Sequence, residues 1–222
     1  MMKILDFYGL PGSGKSTISH SLAMSLRKKG YSVLEPSWKL DMDTNKILRQ
    51  VKKIMLSFLY YFKDKTIIKK TTEFIGNNDL NLVQKMKLYI NILYTMQYVT
   101  NNKNKYDYMI LDEGVIQAVV SLYMLSNNDN YKAYLEFLFS KIKIEIKPIY
   151  LFSDIEITLK RLDCRKNGNS RVDRVPKNNR KVMLKKIESI CNDILKERIF
   201  INSNKNISEI IEELLKLVDK KL

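Results

Sequence analysis

Short apolar runs of strand length alternate along the chain with longer stretches of helical period. Lys3–Tyr8, Tyr31–Glu35, Tyr108–Asp112, Lys147–Phe152 and Ile199–Asn202 are rich in Ile, Val, Leu, Phe or Tyr and predict five strands. After the first, Ile18, Leu22 and Leu26 recur at helical spacing within Ser16–Lys29, and Gly30 ends the pattern. The interval 41–105 reads as two or three helices, among them Asn81–Val99, apolar on most sides and therefore packed. Ser208–Lys220 predicts a closing helix with Ser208 as N-cap and Ile210, Ile211, Leu214, Leu215 and Val218 as its buried stripe. This alternation predicts an α/β three-layer sandwich: a five-stranded parallel sheet covered on both faces, with ligands gathered at the carboxyl ends of the strands.

Length and charge narrow the picture. A chain of 222 residues suits one domain, and the expectation is a single unit over 1–222 with no linker dividing it. The longest apolar stretches, such as Ile54–Phe62, are about half of what a bilayer crossing needs, so no membrane span is expected. The N-terminus runs straight into the first strand, without the pattern of a secretory leader. Cys164 and Cys191 form neither a C-x-x-C pair nor a metal spacing, which fits a reducing cytosol and a cytoplasmic protein. A net charge of +15 admits nucleic acid, anionic membrane or phosphorylated ligands, but the lysines are spread along the whole chain, as on a solvated surface. No RNA- or DNA-binding module motif occurs, so nucleic acid is not the expected partner.

The strongest chemical signal is GLPGSGKS, Gly9 to Ser16. Its G-x-x-x-x-G-K-S spacing, between a strand and a helix, suits a phosphate-binding loop whose backbone N–H groups and helix N-terminus face an anion. The expected cradle is Gly9, Pro11, Gly12, Ser13, Gly14, Lys15, Ser16 and Thr17, with Lys15 reaching the outer phosphates and Ser16 offering a hydroxyl to Mg²⁺. Asp112 ends the apolar run YDYMILD at a strand tip and is the candidate second Mg²⁺ contact. Glu113 follows it, placed either to orient an attacking group, to pair with an arginine or to open the next helix. A third cluster, Thr158–Arg174, carries Arg161 and Arg165 four apart on one helix face, with Arg171 and Arg174 beyond a KNGNS turn; it predicts a mobile arginine lid over about 161–175. In VLEPSWKLD, Glu35 stands at another strand tip as a candidate base or substrate contact, and Trp38 as a candidate wall of the acceptor pocket or a core filler. His20, on the first helix, is expected to be a packed or surface residue.

At these residues the chain resembles the thymidylate kinase and deoxynucleoside kinase branch of the phosphate-loop kinases. GLPGSGKST matches that family's loop, the Glu-Pro of LEPSW resembles the pair after its second strand, and LKRLDCR resembles its lid. The resemblance implies a nucleotide-kinase-like phosphate-loop fold, ATP and Mg²⁺ as the nucleotide and metal, a helical acceptor-side insertion over about 41–105, and Glu35 as the base toward a sugar hydroxyl. Asp112-Glu113-Gly114 departs from the Asp-Arg or Glu-Arg-Ser that the family carries at this strand tip. No N-K-x-D guanine signature follows Asn45 or Asn102, which argues against a GTP switch, and helicases need further motifs. Transfer of the γ-phosphoryl of ATP to a small acceptor is the expected activity, with Lys15, Glu35, Asp112, Glu113, Arg161, Arg165 and Arg171 as the candidate catalytic set and Glu35, Trp38 and Glu113 on the substrate. The acceptor is a nucleoside, a nucleotide or another small hydroxyl compound, and a homodimer stays open. An ATP-binding regulatory or assembly protein is the alternative.

Overall fold

The computed structural model describes residues 2–41, 46–77, 80–125, 130–164, 172 and 175–219. Arg165, Arg171 and Arg174 lie outside them. In chain order the elements are β1 (Lys3–Gly9), α1 (Lys15–Lys28), β2 (Val33–Leu34), α2 (Pro36–Asp41), α3 (Lys46–Tyr61), α4 (Lys65–Gly76), α5 (Leu82–Asn102), β3 (Tyr108–Leu111), α6 (Val115–Leu125), α7 (Tyr131–Ile142), β4 (Glu145–Phe152), α8 (Ile155–Asp163), α9 (Lys177–Asp193), β5 (Ile199–Asn202) and α10 (Ile207–Asp219). The five strands form one parallel sheet in the order β2-β3-β1-β4-β5.

The two-residue period of β1 divides the core. Leu5 and Phe7 face one layer, with Ile18, Leu22 and Leu26 of α1 and Ile210, Leu214 and Val218 of α10. Ile4 and Tyr8 face the other, with buried residues of α5, α6, α7 and α9. Lys147 is a charged exception on β4: its amine is buried against the last turn of α10 and donates to Val218 O at 3.4 Å, satisfying a carbonyl that the helix end leaves open.

Helix boundaries follow local chemistry. Asn81 caps α5 in a reciprocal box with Gln84, and Asp64 caps α4 through Thr66 and Ile67 N–H groups. The second strand is shorter than its apolar run, because Ser32 turns away to bond Asp107 and Pro36 opens α2 at once. Ser208 is not an N-cap: α10 begins at Ile207, and it is Asn206 whose carbonyl accepts from Ile210 N at 3.1 Å. Four helices, α2 to α5, fill the interval between β2 and β3.

Candidate active site

Register brings the ends of three strands to one place. β1 pairs with β3 up to Asp6 and Leu111, and with β4 up to Gly9 and Leu151, so the loop after Gly9 emerges between the tips of its two neighbours. Gly9, Gly12 and Gly14 hold φ of 147°, 93° and 91°, values that side chains rarely adopt, so the turns of the loop depend on glycine. Lys15 opens α1 and folds back across the loop, its Nζ donating to Gly9 O at 3.0 Å and Leu10 O at 2.9 Å. An amine held over those carbonyls can exchange them for phosphate oxygens with little movement of its stem. Ser16 Oγ donates to Asp112 Oδ2 at 2.8 Å, joining residues 96 apart in sequence. A hydroxyl at the start of α1 and a carboxylate from the tip of β3 thus stand together beside the loop.

The fold is that of a phosphate-loop kinase. No protein-family model and no curated protein matches the sequence. Solved structures do. A deoxyadenosine kinase from M. mycoides with bound dATP superposes with a TM-score of 0.54 at 21% identity, over 99% of this chain and 100% of that one. The same enzyme with bound dCTP gives 0.53 at 19%, over 97% and 98%. A shikimate kinase from Bacteroides thetaiotaomicron gives 0.52 at 13%, over 99% of each chain. At such identities the likeness is one of fold, and the chemistry of this phosphate-loop kinase fold rests on its own residues.

A cavity of about 430 Å³ opens from the loop. Pro11, Gly12, Gly14, Lys15, Ser16 and Thr17 form one end, with Asp112 and Glu113 beside them. The rest of its wall comes from α5 through Leu88 and Asn91, from α6 through Gln117, Ser121 and Met124, and from Val172 and Ile187. Of the segment 165–174 only Val172 is described, and it is buried at this wall.

Other predicted site residues stand elsewhere. Glu35 is buried, with Arg27 Nη1 at 2.6 Å from Oε1 and His20 Nδ1 at 2.9 Å from Oε2, and does not line the cavity. Trp38 is half-exposed, its ring stacked on His20 at 3.5 Å between centroids, away from both core and cavity. Arg161 reaches the edge where β4 and β5 end, donating to Ser203 O at 3.1 Å and Ser153 Oγ at 3.4 Å. It too is absent from the cavity wall.

Two sets of residues at the site escaped the sequence reading. Gln117 accepts from Gly9 N through Oε1 at 3.1 Å, tying α6 to the loop. With Ser121 it supplies the polar positions of the otherwise apolar VIQAVVSLYML, four apart and hence on one helix face, a signal that was there to be read. Asp6 is the charged residue inside the buried run of β1. Its Oδ2 accepts from Ile116 N at 3.3 Å, at the start of α6, while Oδ1 has no partner. A Cβ on Gly114 would overlap this carboxyl, so the Asp112-Glu113-Gly114 turn lies directly against Asp6. Burial pushes the Asp6 carboxyl up to about 8, two N–H donors at the start of α6 oppose the rise, and the Asp112 charge adds to it.

Proposed function

We infer that the protein transfers the γ-phosphoryl group of MgATP to a hydroxyl of a small neutral acceptor, with a nucleoside as the chemistry that fits best. The observation that carries this reading is the Ser16–Asp112 pair, held at 2.8 Å where the loop meets the cavity. Two hard oxygens at the end of an anion cradle suit Mg²⁺, which is bound through one or two protein oxygens together with phosphate. Among the described residues no group of three or more His, Cys, Asp or Glu could hold a metal alone, so this ion would be shared with the nucleotide. Bound there, Mg²⁺ would neutralise the phosphate charge.

The character of the wall supports this acceptor class. Beyond the loop, the described lining residues are amide, hydroxyl or apolar: Asn91, Gln117, Ser121, Leu88 and Met124. Asp112 and Glu113 line the cavity together, and two carboxylates at the acceptor side support a neutral acceptor. A neutral alcohol must lose a proton as it attacks, and Glu113 lines the cavity where such a proton would leave. The acceptor oxygen bonds to the γ-phosphorus, the bridge to the β-phosphate breaks, ADP departs, and Glu113 takes the proton. Lys15 and the loop N–H groups stabilise the charge on the phosphates. Arg165 and Arg171 are the arginines proposed to cover the migrating group, while Arg161 braces the β4–β5 edge.

The test is ADP release from MgATP with nucleosides, nucleoside monophosphates, sugars and amino alcohols. Turnover is expected with a hydroxyl acceptor and is expected to vanish in Lys15→Ala. Turnover with phosphate monoesters alone would remove the hydroxyl reading. ATP binding without any acceptor dependence would favour a regulatory or assembly protein.

A further inference from the structure

Helix α6 starts directly after the Asp112-Glu113-Gly114 turn, and its face of Gln117, Ser121 and Met124 lines the cavity. Gln117 belongs to the nucleotide loop as well. Its Oε1 accepts from Gly9 N at 3.1 Å, and since a backbone N–H only donates, this bond fixes which way round the amide lies. The N–H₂ end has no partner among the described residues. The ladder of β1 with β3 stops at Asp6, so Gly9 N–H, three residues on, has no carbonyl of β3 to meet, and Gln117 supplies the acceptor in its place.

Gly9 itself has no slack. It holds φ of 147°, and a Cβ would run into Leu151 O of the neighbouring strand, so the residue is wedged against β4. Its carbonyl accepts from Lys15 Nζ at 3.0 Å, and the next carbonyl, Leu10 O, accepts from the same amine at 2.9 Å. The start of α6 is fixed in turn, since Ile116 N donates to Asp6 Oδ2 at 3.3 Å. A continuous path of bonded groups thus leads from the cavity wall through Gln117 and Gly9 to the amine of Lys15.

We propose that Gln117 is a positioning residue: it sets Gly9, and through Gly9 the resting place of the Lys15 amine, in the arrangement that receives the phosphates, a role that rests on the kinase reading above. A side chain that only filled the contact between α6 and β1 would need no oxygen there, and Leu or Met would serve. With the oxygen lost, Gly9 N–H must turn to water or to another carbonyl, the loop relaxes, and that relaxation has to be undone when a nucleotide binds. The loss therefore shows in nucleotide affinity and not in stability alone.

Isothermal titration of the full chain with Mg²⁺ and AMPPNP, a non-hydrolysable ATP analogue, needs no phosphoryl acceptor. Gln117→Met keeps the length of the side chain and a good helix former, and is expected to weaken this binding by about tenfold. Gln117→Ala is expected to do the same, and covers the case in which the thioether disturbs the packing of α6. Urea unfolding without nucleotide reads the link to Lys15. Gln117→Met and Lys15→Met are expected to be non-additive there, with a coupling of at least about threefold in the unfolding constant, because the carbonyls that hold the amine shift once Gly9 is released. Analogue affinity unchanged in both Gln117 variants, or strictly additive unfolding, would each overturn the assignment and leave the kinase reading standing. A wild type that fails to bind the analogue would remove both.

Discussion

Asp6 makes the stability of the molecule depend on pH in a way that one substitution isolates. Its carboxyl is fully buried, Oδ2 accepts one N–H at 3.3 Å, and Oδ1 has no partner. Ionising it there places charge in a setting that solvates it poorly, and the nearby Asp112 repels it. Folding therefore raises its pKa from 3.8 to about 8. Below pH 4 the group is protonated in both states and its contribution is fully present. Between pH 4 and 8 the unfolded chain releases the proton while the native state keeps it, so stability falls as pH rises. At about 1.4 kcal/mol per pH unit the whole loss is on the order of 6 kcal/mol. Asp6→Asn keeps the shape, cannot ionise, and offers an N–H₂ in place of the unpartnered oxygen. Urea unfolding followed by circular dichroism at several pH values gives the difference in stability between variant and wild type. That difference is expected to move in favour of Asp6→Asn by about 3–4 kcal/mol from pH 5 to pH 8. A difference that stays flat over this range would refute the argument, because it would mean that Asp6 carries the same charge folded and unfolded.

The remaining predictions concern the site. Glu113→Gln is expected to lower kcat by about 100-fold or more with a hydroxyl acceptor, and Glu35→Gln by less than about tenfold; steady-state kinetics with the reverse order would move the base to Glu35. Ser16→Ala and Asp112→Asn should each raise the Mg²⁺ concentration needed for half-maximal turnover, and a Mg²⁺ titration unchanged in both would remove them as its contacts. Arg161→Ala loses its bonds to Ser203 O and Ser153 Oγ and should lower stability by about 1–2 kcal/mol, allowing for its partial exposure, with kcat nearly intact. A collapse of kcat at unchanged melting temperature would instead assign it to the transferring phosphate.

What was legible in the sequence was whatever is decided within a few residues. The loop from Gly9 to Ser16 is a local signature, and all five strands have ends within two residues of the apolar runs that predict them. The Ser16–Asp112 contact spans 96 residues, yet it was accessible because each partner sits at the end of a recognisable element. Glu35 marks where this reasoning stops. Its place after the second strand was visible, but pairing with Arg27 and His20 depends on how α1 lies across the sheet, and no local pattern encodes that angle. Arg161 is similar: its place in a cluster of arginines was visible, but its bonds to Ser153 Oγ and Ser203 O at the tips of β4 and β5 depend on how α8 lies against the sheet.

Helix α3 sharpens the point, because the burial of its residues does not follow their apolar character. An apolar stripe at helical period states that some surface will be covered, and in one chain the usual cover is that chain's own sheet. Here the sheet face is already filled by α5, α6, α7 and α9, and α3 packs on α5 with Lys53, Ser57 and Tyr60 among the residues turned toward it. On α3, Ile47, Leu48, Val51, Ile54, Met55, Phe58, Leu59 and Tyr61 all stay largely exposed, and periodicity alone does not say which side of such a helix its own chain covers. Asp6 teaches the complementary lesson. A lone carboxylate in an apolar strand reads as a fault in the pattern, and its position against the start of α6 turns that fault into a constraint on the turn that carries Asp112 and Glu113. In Asp6 the departure from simple amphipathic burial is what marks a contact, here with the turn that carries Asp112 and Glu113.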